Sequence, residues 1–185
     1  MRVIAGSCRS LPLVTPEGEE TRPTSDRIKE TLFNILQADT EGSVFYDLFC
    51  GSGGIGIEAL SRGAKHCYFV DSSNEAIECL KKNLQFTKLQ DLATVHHRDI
   101  FSAIPFMNDK ADIIFMDPPY DLEIESAVMQ QLKNSSILKE DSLVIIEAKK
   151  ERDFSNLCDL GFTIIKEKVY KNNKHVFLLP KRETK

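Results

Sequence analysis

From Val44 onward, short runs rich in Val, Ile and Phe alternate with segments of helical periodicity, and this alternation constrains the fold more than any other feature. Parallel strands need a crossover of a dozen or more residues between them, usually a helix, so such alternation is the pattern of an α/β sheet. Strands are expected at Val44–Phe49, His66–Asp71, Thr94–Asp99, Asp112–Asp117, Leu143–Ala148, Phe162–Tyr170 and His175–Pro180. Helices are expected at Gly54–Arg62, Ser73–Phe86, Glu123–Asn134 and Phe154–Leu160. The last two strands are separated only by Lys171-Asn172-Asn173-Lys174, too short for a crossover, so they should form an antiparallel hairpin in a mixed seven-stranded sheet. Ahead of the sheet, Arg2–Ala5 and Leu11–Val14 can pair around Gly6–Ser10, and Ser25–Leu36 reads as a helix with Thr24-Ser25-Asp26 at its start. A chain of 185 residues suits one core. The expected organisation is a single domain over 1–185, with 1–40 as a hairpin-and-helix extension and 41–185 as the core.

Composition narrows the class. Hydrophobic residues make up 42% and charged residues 28%, ordinary for a globule. No apolar run reaches the length of a spanning helix and Met1–Leu13 has no continuous apolar stretch, so no membrane partner and a cytoplasmic location are expected. The five cysteines (Cys8, Cys50, Cys67, Cys79, Cys158) are widely separated and never spaced as CxxC, so reduced, mostly buried thiols are expected rather than disulfides or zinc. His96 and His97 are adjacent and on a strand face opposite sides, so they cannot share a metal; no metal is expected. The net charge of −4 argues against a generic polyanion binder, yet residues 166–185 carry seven basic and two acidic side chains. Such a tail is either a solvated end or a nucleic-acid contact.

The segment Val44–Gly56 reads as a strand, then Gly51-Ser52-Gly53-Gly54-Ile55-Gly56, then a helix start. Glycines in such a loop allow a tight turn and close approach of backbone to ligand. Asp71 ends the next strand, where a carboxylate can accept hydrogen bonds from both ribose hydroxyls. Adenosine recognition follows, with Gly51, Gly53, Gly56 and Asp71 as cofactor-binding candidates. Asp47, four residues before Gly51, suits the cationic amino end of a methionine moiety better than a pyrophosphate; its plainer role is a capping or packing acid. Asp99, or the neighbouring backbone at Ile100, closes the third strand where an adenine amino group could be read, and Asp99 serves equally as an N-cap.

After the apolar strand Ile113–Met116 comes Asp117-Pro118-Pro119-Tyr120, at the carboxyl edge where open α/β sheets bind ligands. An exocyclic amino nitrogen on a base is a poor nucleophile because its lone pair is delocalised into the ring. Hydrogen bonds from its two N–H groups to the Asp117 carboxylate and the Pro118 carbonyl would pull it toward tetrahedral geometry and free that pair. The prolines fix the backbone in advance, and Tyr120 offers a stacking face. The catalytic candidates are therefore Asp117, Pro118, Pro119 and Tyr120.

At these residues the chain resembles the class I S-adenosylmethionine-dependent methyltransferases, and more closely the RsmD family, which methylates N2 of a guanine in bacterial small-subunit ribosomal RNA. The similarity runs through Met1-Arg2-Val3-Ile4-Ala5-Gly6, Arg22–Arg27, Glu30–Asn34, Asp47–Gly53, Glu58–Ala64 and Asp117–Tyr120. The resemblance implies a Rossmann-like core, S-adenosyl-L-methionine as cofactor, and 16S ribosomal RNA or the 30S particle as partner of a monomer. It also implies that Arg2, Arg9, Arg22 and Arg27 contact RNA. A DNA adenine-N6 methyltransferase and a non-catalytic RNA-binding assembly factor of the same fold are the competing readings. A nicotinamide oxidoreductase lacks a proton donor near a hydride acceptor.

Overall fold

The computed structural model describes residues 1–16, 26–119 and 124–181. Its centre is a seven-stranded sheet of order β3-β2-β1-β4-β5-β7-β6, with β1 Val44–Leu48, β2 His66–Asp71, β3 Ala93–His97, β4 Ile113–Met116, β5 Leu143–Lys149, β6 Phe162–Val169 and β7 Asn173–Pro180. The first five strands pair in parallel. β7 runs antiparallel to both β5 and β6, so the expected mixed sheet and terminal hairpin are both present. The hairpin turn is tighter than the sequence implies, because Asn173 and Lys174 already belong to β7.

Helices α1 Asp26–Ile35, α2 Gln37–Thr40, α3 Gly54–Ser61, α4 Asn74–Thr87, α5 Ile100–Ala103 and α6 Glu125–Lys133 flank the sheet. Side-chain alternation along the strands sorts the core into two layers. Phe45, Phe69, Phe115, Ile145 and Phe177 lie on one face under α1, α3 and α4. Tyr46, Leu48, Ile114, Met116, Val144 and Ile146 lie on the other, under α5 and α6. α4 illustrates the local logic. The Ser73 Oγ accepts from the Ala76 N–H at its start, Ala76, Ile77, Leu80, Asn83, Leu84 and Thr87 form its buried stripe, and Lys88 ends it in the left-handed region at φ 59°.

Several expectations need correction. The third strand ends at His97, two residues early, because Asp99 turns the chain into α5; the Asp99 carboxylate accepts from the Ser102 N–H at 3.1 Å. The helix expected at Phe154–Leu160 is only a 3-10 turn, Ser155–Cys158, and α2 and α5 are single turns too short to show a period. Phe49 leaves β1 with φ 62° instead of extending it. The N-terminal pairing is one antiparallel bridge, Arg2 with Pro12, supported by the Val3 N–H to the Leu11 carbonyl and the Leu13 N–H to the Met1 carbonyl. Thr24 and Ser25 lie outside the described residues. All five cysteines are free, and Cys8, Cys50 and Cys67 are buried.

The N-terminal arm is fastened to α3 by one buried acid. Glu58, with no exposed surface, accepts from the Ile4 N–H at 2.7 Å and the Ala5 N–H at 3.0 Å, and pairs with Arg62 at 2.7 Å and Lys29 at 3.4 Å. The Lys29 ammonium also donates to the Arg2 carbonyl at 2.6 Å. A Cβ on Gly6 would lie 1.8 Å from the Ser61 carbonyl oxygen, so only glycine lets the arm come this close. The segments Met1–Gly6 and Glu58–Ala64, distant in sequence, are thus two halves of one contact.

Candidate active site

Five polar groups share the carboxyl edge of the sheet, and strand register puts them on one face. Asp47 of β1 aligns with Phe115 of β4, which aligns with Ile145 of β5. Two residues on along β4 and β5 come Asp117 and Glu147, on the same side, and Glu147 aligns with His175 of β7. Asp71 ends β2, two residues beyond Phe69, which is level with Asp47. β2 lies on one side of β1 and β4 on the other, so the chain's direction of winding switches between β1 and β4, where open α/β sheets bind ligands.

The glycine loop is shaped by three left-handed residues, Phe49 at φ 62°, Gly51 at 53° and Gly53 at 85°. The Cys50 N–H donates to the Val70 carbonyl at 2.9 Å and the Gly53 N–H to the Cys50 carbonyl at 2.8 Å. The Gly51 N–H donates to Oδ2 of Asp71 at 2.8 Å, while Oδ1 of Asp71 accepts from the Ser73 N–H at 2.9 Å. The three glycines do different work. A Cβ on Gly51 would meet nothing within 4 Å among the described residues, which leaves open space above the loop there. On Gly53 it would lie 2.4 Å from Leu80, and on Gly56 2.3 Å from Phe69, so these two let α3 settle on the sheet and on α4.

Asp47 is 2% exposed, and its Oδ2 accepts from the Gly56 N–H at 2.8 Å, in the first turn of α3. Burial is the main cause that pushes its carboxyl up to about 7, and the Asp71 charge adds to it against the pull of the Gly56 bond. Asp117 follows β4 directly, and its N–H donates to the Leu48 carbonyl at 3.4 Å, which ties it to β1. Burial, then the charges of Glu147 and Asp47, holds the Asp117 carboxyl well above the ordinary range. Pro118 is buried and Pro119 exposed. Tyr120 lies outside the described residues.

The sequence-derived candidates separate accordingly. Asp47, Gly51, Asp71, Asp117 and Pro118 are brought to the carboxyl ends of β1, β2 and β4. Gly53 and Gly56 shape that place from behind. Asp99 is the N-cap of α5, its carboxyl held low by the Ser102 hydroxyl and N–H, and Ile100 is buried in the core on the far face. Arg2, Arg9 and Arg27 are exposed, with Arg2 paired to Asp26 at 2.7 Å; Arg22 lies outside the described residues. Glu147 and His175 were missed by sequence reasoning. A lone acid inside the apolar run Val144-Ile145-Ile146-Glu147-Ala148 was the available signal.

A cavity of about 260 Å3 opens at the opposite, amino-terminal edge, lined by Asp39, Glu41, Asp112, Lys139 and Asp141. Lys139 pairs with Asp112 and Asp141 there, and Asp112 accepts from the Val44 N–H at 2.7 Å. That constellation clamps strand beginnings, so this cavity is not the chemical centre.

A mixed seven-stranded sheet with a glycine loop after β1, an acid at the end of β2 and Asp-Pro-Pro after β4 defines a class I, Rossmann-like methyltransferase. The family model described as "Conserved hypothetical protein 95" matches residues 1–179, and the chain belongs to this, the RsmD, family of methyltransferases. It is 39% identical over 154 residues to YlbH of Bacillus subtilis, covering 82% of this chain and 84% of that one. It is 34% identical over 171 residues to the ribosomal RNA small subunit methyltransferase D of Haemophilus influenzae, covering 91% and 88%. The solved structure of yhhF from Escherichia coli superposes with a TM-score of 0.87 at 28% identity, covering 98% of each chain. Among the described residues no helix is long and apolar enough to cross a membrane.

Proposed function

We propose that this protein methylates the exocyclic N2 amino group of a guanine in the 16S ribosomal RNA of the small subunit, with S-adenosyl-L-methionine as methyl donor. The observation that carries the reading is the placement of Asp117-Pro118 beside the Gly51–Asp71 loop across the β1–β4 switch. The ribosomal substrate is supported by the name of the Haemophilus influenzae relative, which covers most of both chains. A cytoplasmic setting goes with ribosomal RNA as substrate.

The residues present fit an adenosyl ligand with a cationic end. Among the described residues, open space lies above Gly51, the Asp71 carboxylate stands at its rim, and the charges acting on Asp117 are those of the carboxylates Glu147 and Asp47, an excess of negative charge that a sulfonium offsets. When bound, S-adenosylmethionine supplies an electrophilic methyl group. Asp71 would hold the ribose hydroxyls, and Asp47 would face the amino end. Asp99 or the Ile100 backbone would read the adenine. Asp117 and the Pro118 carbonyl would accept the two N–H groups of the guanine amine, leaving its lone pair free for attack. Tyr120, by its residue type and place in the tetrapeptide, would stack on the base. Arg2, Arg9, Arg22 and Arg27 would bind RNA phosphates from the arm that Glu58 fastens beside the loop.

The test is incubation of the purified protein with methyl-labelled S-adenosylmethionine and, in parallel, unmodified 30S particles, naked 16S RNA and DNA, followed by nucleoside analysis. Label in N2-methylguanosine is expected, with an Asp117→Ala variant inactive. Label only in N6-methyladenine of DNA would overturn the reading.

A further inference from the structure

Glu147 is a buried acid with partners of its own. It is 4% exposed, its Oε2 accepts from Nε2 of the fully buried His175 at 3.0 Å, and its Oε1 accepts from the Asn173 side-chain amide. Nδ1 of His175 faces the Tyr170 hydroxyl at 3.2 Å, and the ring stands perpendicular to that of Phe115, centroids 5.9 Å apart. Partners on three sides of the His175–Glu147 pair hold this carboxylate in one geometry next to Asp117. Glu147 follows Ile146 of β5, which is level with Met116 of β4, so this fixed carboxylate lies beside Asp117 at the ligand edge.

Resting on the reading of Asp117 as the group that holds the substrate amine, we propose that Glu147, fixed by His175 and Asn173, is a positioning residue that makes Asp117 the proton acceptor of the reaction. After methyl transfer the substrate nitrogen is cationic. Its N–H bond breaks, the electron pair stays on nitrogen, and an O–H bond forms on the Asp117 carboxylate. A carboxylate in water is a poor acceptor at neutral pH; one beside a second fixed negative charge is a better one. Among the described residues, the charged groups facing Asp117 are Asp47 from β1 and Glu147 from β5, and the titratable groups facing Glu147 are Asp117 after β4, His175 from β7 and Tyr170 after β6. The elevated proton affinity of Asp117 has the sign this role requires.

The test follows the Asp117 carboxyl by NMR in protein labelled with 13C at aspartate and glutamate carboxyls, assigned with Asp117→Asn, without RNA. In the wild type, the Asp117 midpoint should lie above the ordinary carboxylate range. In Glu147→Gln the Asp117 midpoint should fall by about one pH unit or more. The acid limb of the kcat–pH profile should fall with it, while the KM for RNA is unchanged, and Glu147→Asp should restore the limb. An Asp117 midpoint in the ordinary carboxylate range in the wild type, or an unmoved midpoint in folded Glu147→Gln, would overturn the inference with methylation intact. A wild type that methylates no guanine would instead overturn the underlying reading of the site.

Discussion

The backbone N–H of Gly51 donates to Oδ2 of Asp71 at 2.8 Å, so the acid that ends β2 is built into the wall of the glycine loop. The same carboxylate that would meet the ribose also holds the loop in shape. Asp71→Ala removes both functions, and a hydrogen bond to a charged group is worth roughly 1.5–3 kcal/mol. S-adenosylmethionine affinity measured by calorimetry should fall about 10- to 100-fold, and an unchanged affinity would separate Asp71 from the ligand.

Asp47 predicts a pH dependence. Its folded-state value of about 7 lies above that of an exposed carboxyl, so its contribution to stability is fully present at pH below the ordinary carboxylate range and is lost as pH rises to about 7. The melting temperature of the ligand-free protein should therefore fall with rising pH over that window more steeply than that of Asp47→Asn. A cationic ligand favours the ionised form, so S-adenosylmethionine affinity should rise through about pH 7 with release of a proton. Calorimetry in two buffers of different ionisation enthalpy reads that proton; its absence would place the ligand's amino end elsewhere.

Glu58 and Lys29 form a pair that is 0% and 1% exposed. Burial already lowers the lysine's proton affinity, and Glu58 is the largest opposing influence. Glu58→Ala strands a buried cation and two backbone N–H groups of the arm, at a cost of about 3–5 kcal/mol. Urea unfolding should show that loss, whereas Glu58→Leu combined with Lys29→Met should be markedly less damaging. Equal losses would mean that the two arm N–H groups, left without their acceptor in both variants, carry the cost and not the stranded lysine.

The exposed arginines of the arm predict a salt effect. Arg9→Glu and Arg27→Glu should weaken binding to the small-subunit particle and lower the slope of log K against log salt by about one for each phosphate no longer engaged. S-adenosylmethionine affinity should be unaltered. An unchanged slope in both variants would remove these two side chains from the RNA surface.

Where an element is long or its chemistry is strictly local, the sequence is a sufficient guide. The sequence pattern bounds β2 from His66 to Asp71 as the fold does, and α4 to within a residue at each end, because a buried strand and an amphipathic helix of 14 residues show their periods clearly. Single-turn α2 and α5 contain too few residues to show one. Asp99 has two open roles in the sequence, and its capping of α5 becomes visible only with the fold. The division of labour among the glycines is also hidden there, since all three fit one motif. What separates Gly51 from Gly56 is the presence of Phe69 beside one and open space above the other.

The sheet class, the hairpin at its end, the glycine loop with its acid and the Asp-Pro-Pro turn are all legible along the chain, because each is written in residues that are adjacent or one strand apart. Only folding brings Asp47, Asp117 and Glu147 together at one edge. Folding likewise sets His175, 28 residues from Glu147, to hold that acid in place, and sets Glu58 to join the arm to α3. These relationships depend on strand order and on which face each side chain takes. Burial then acts on charge through distance in space, a quantity that separation along the chain does not contain.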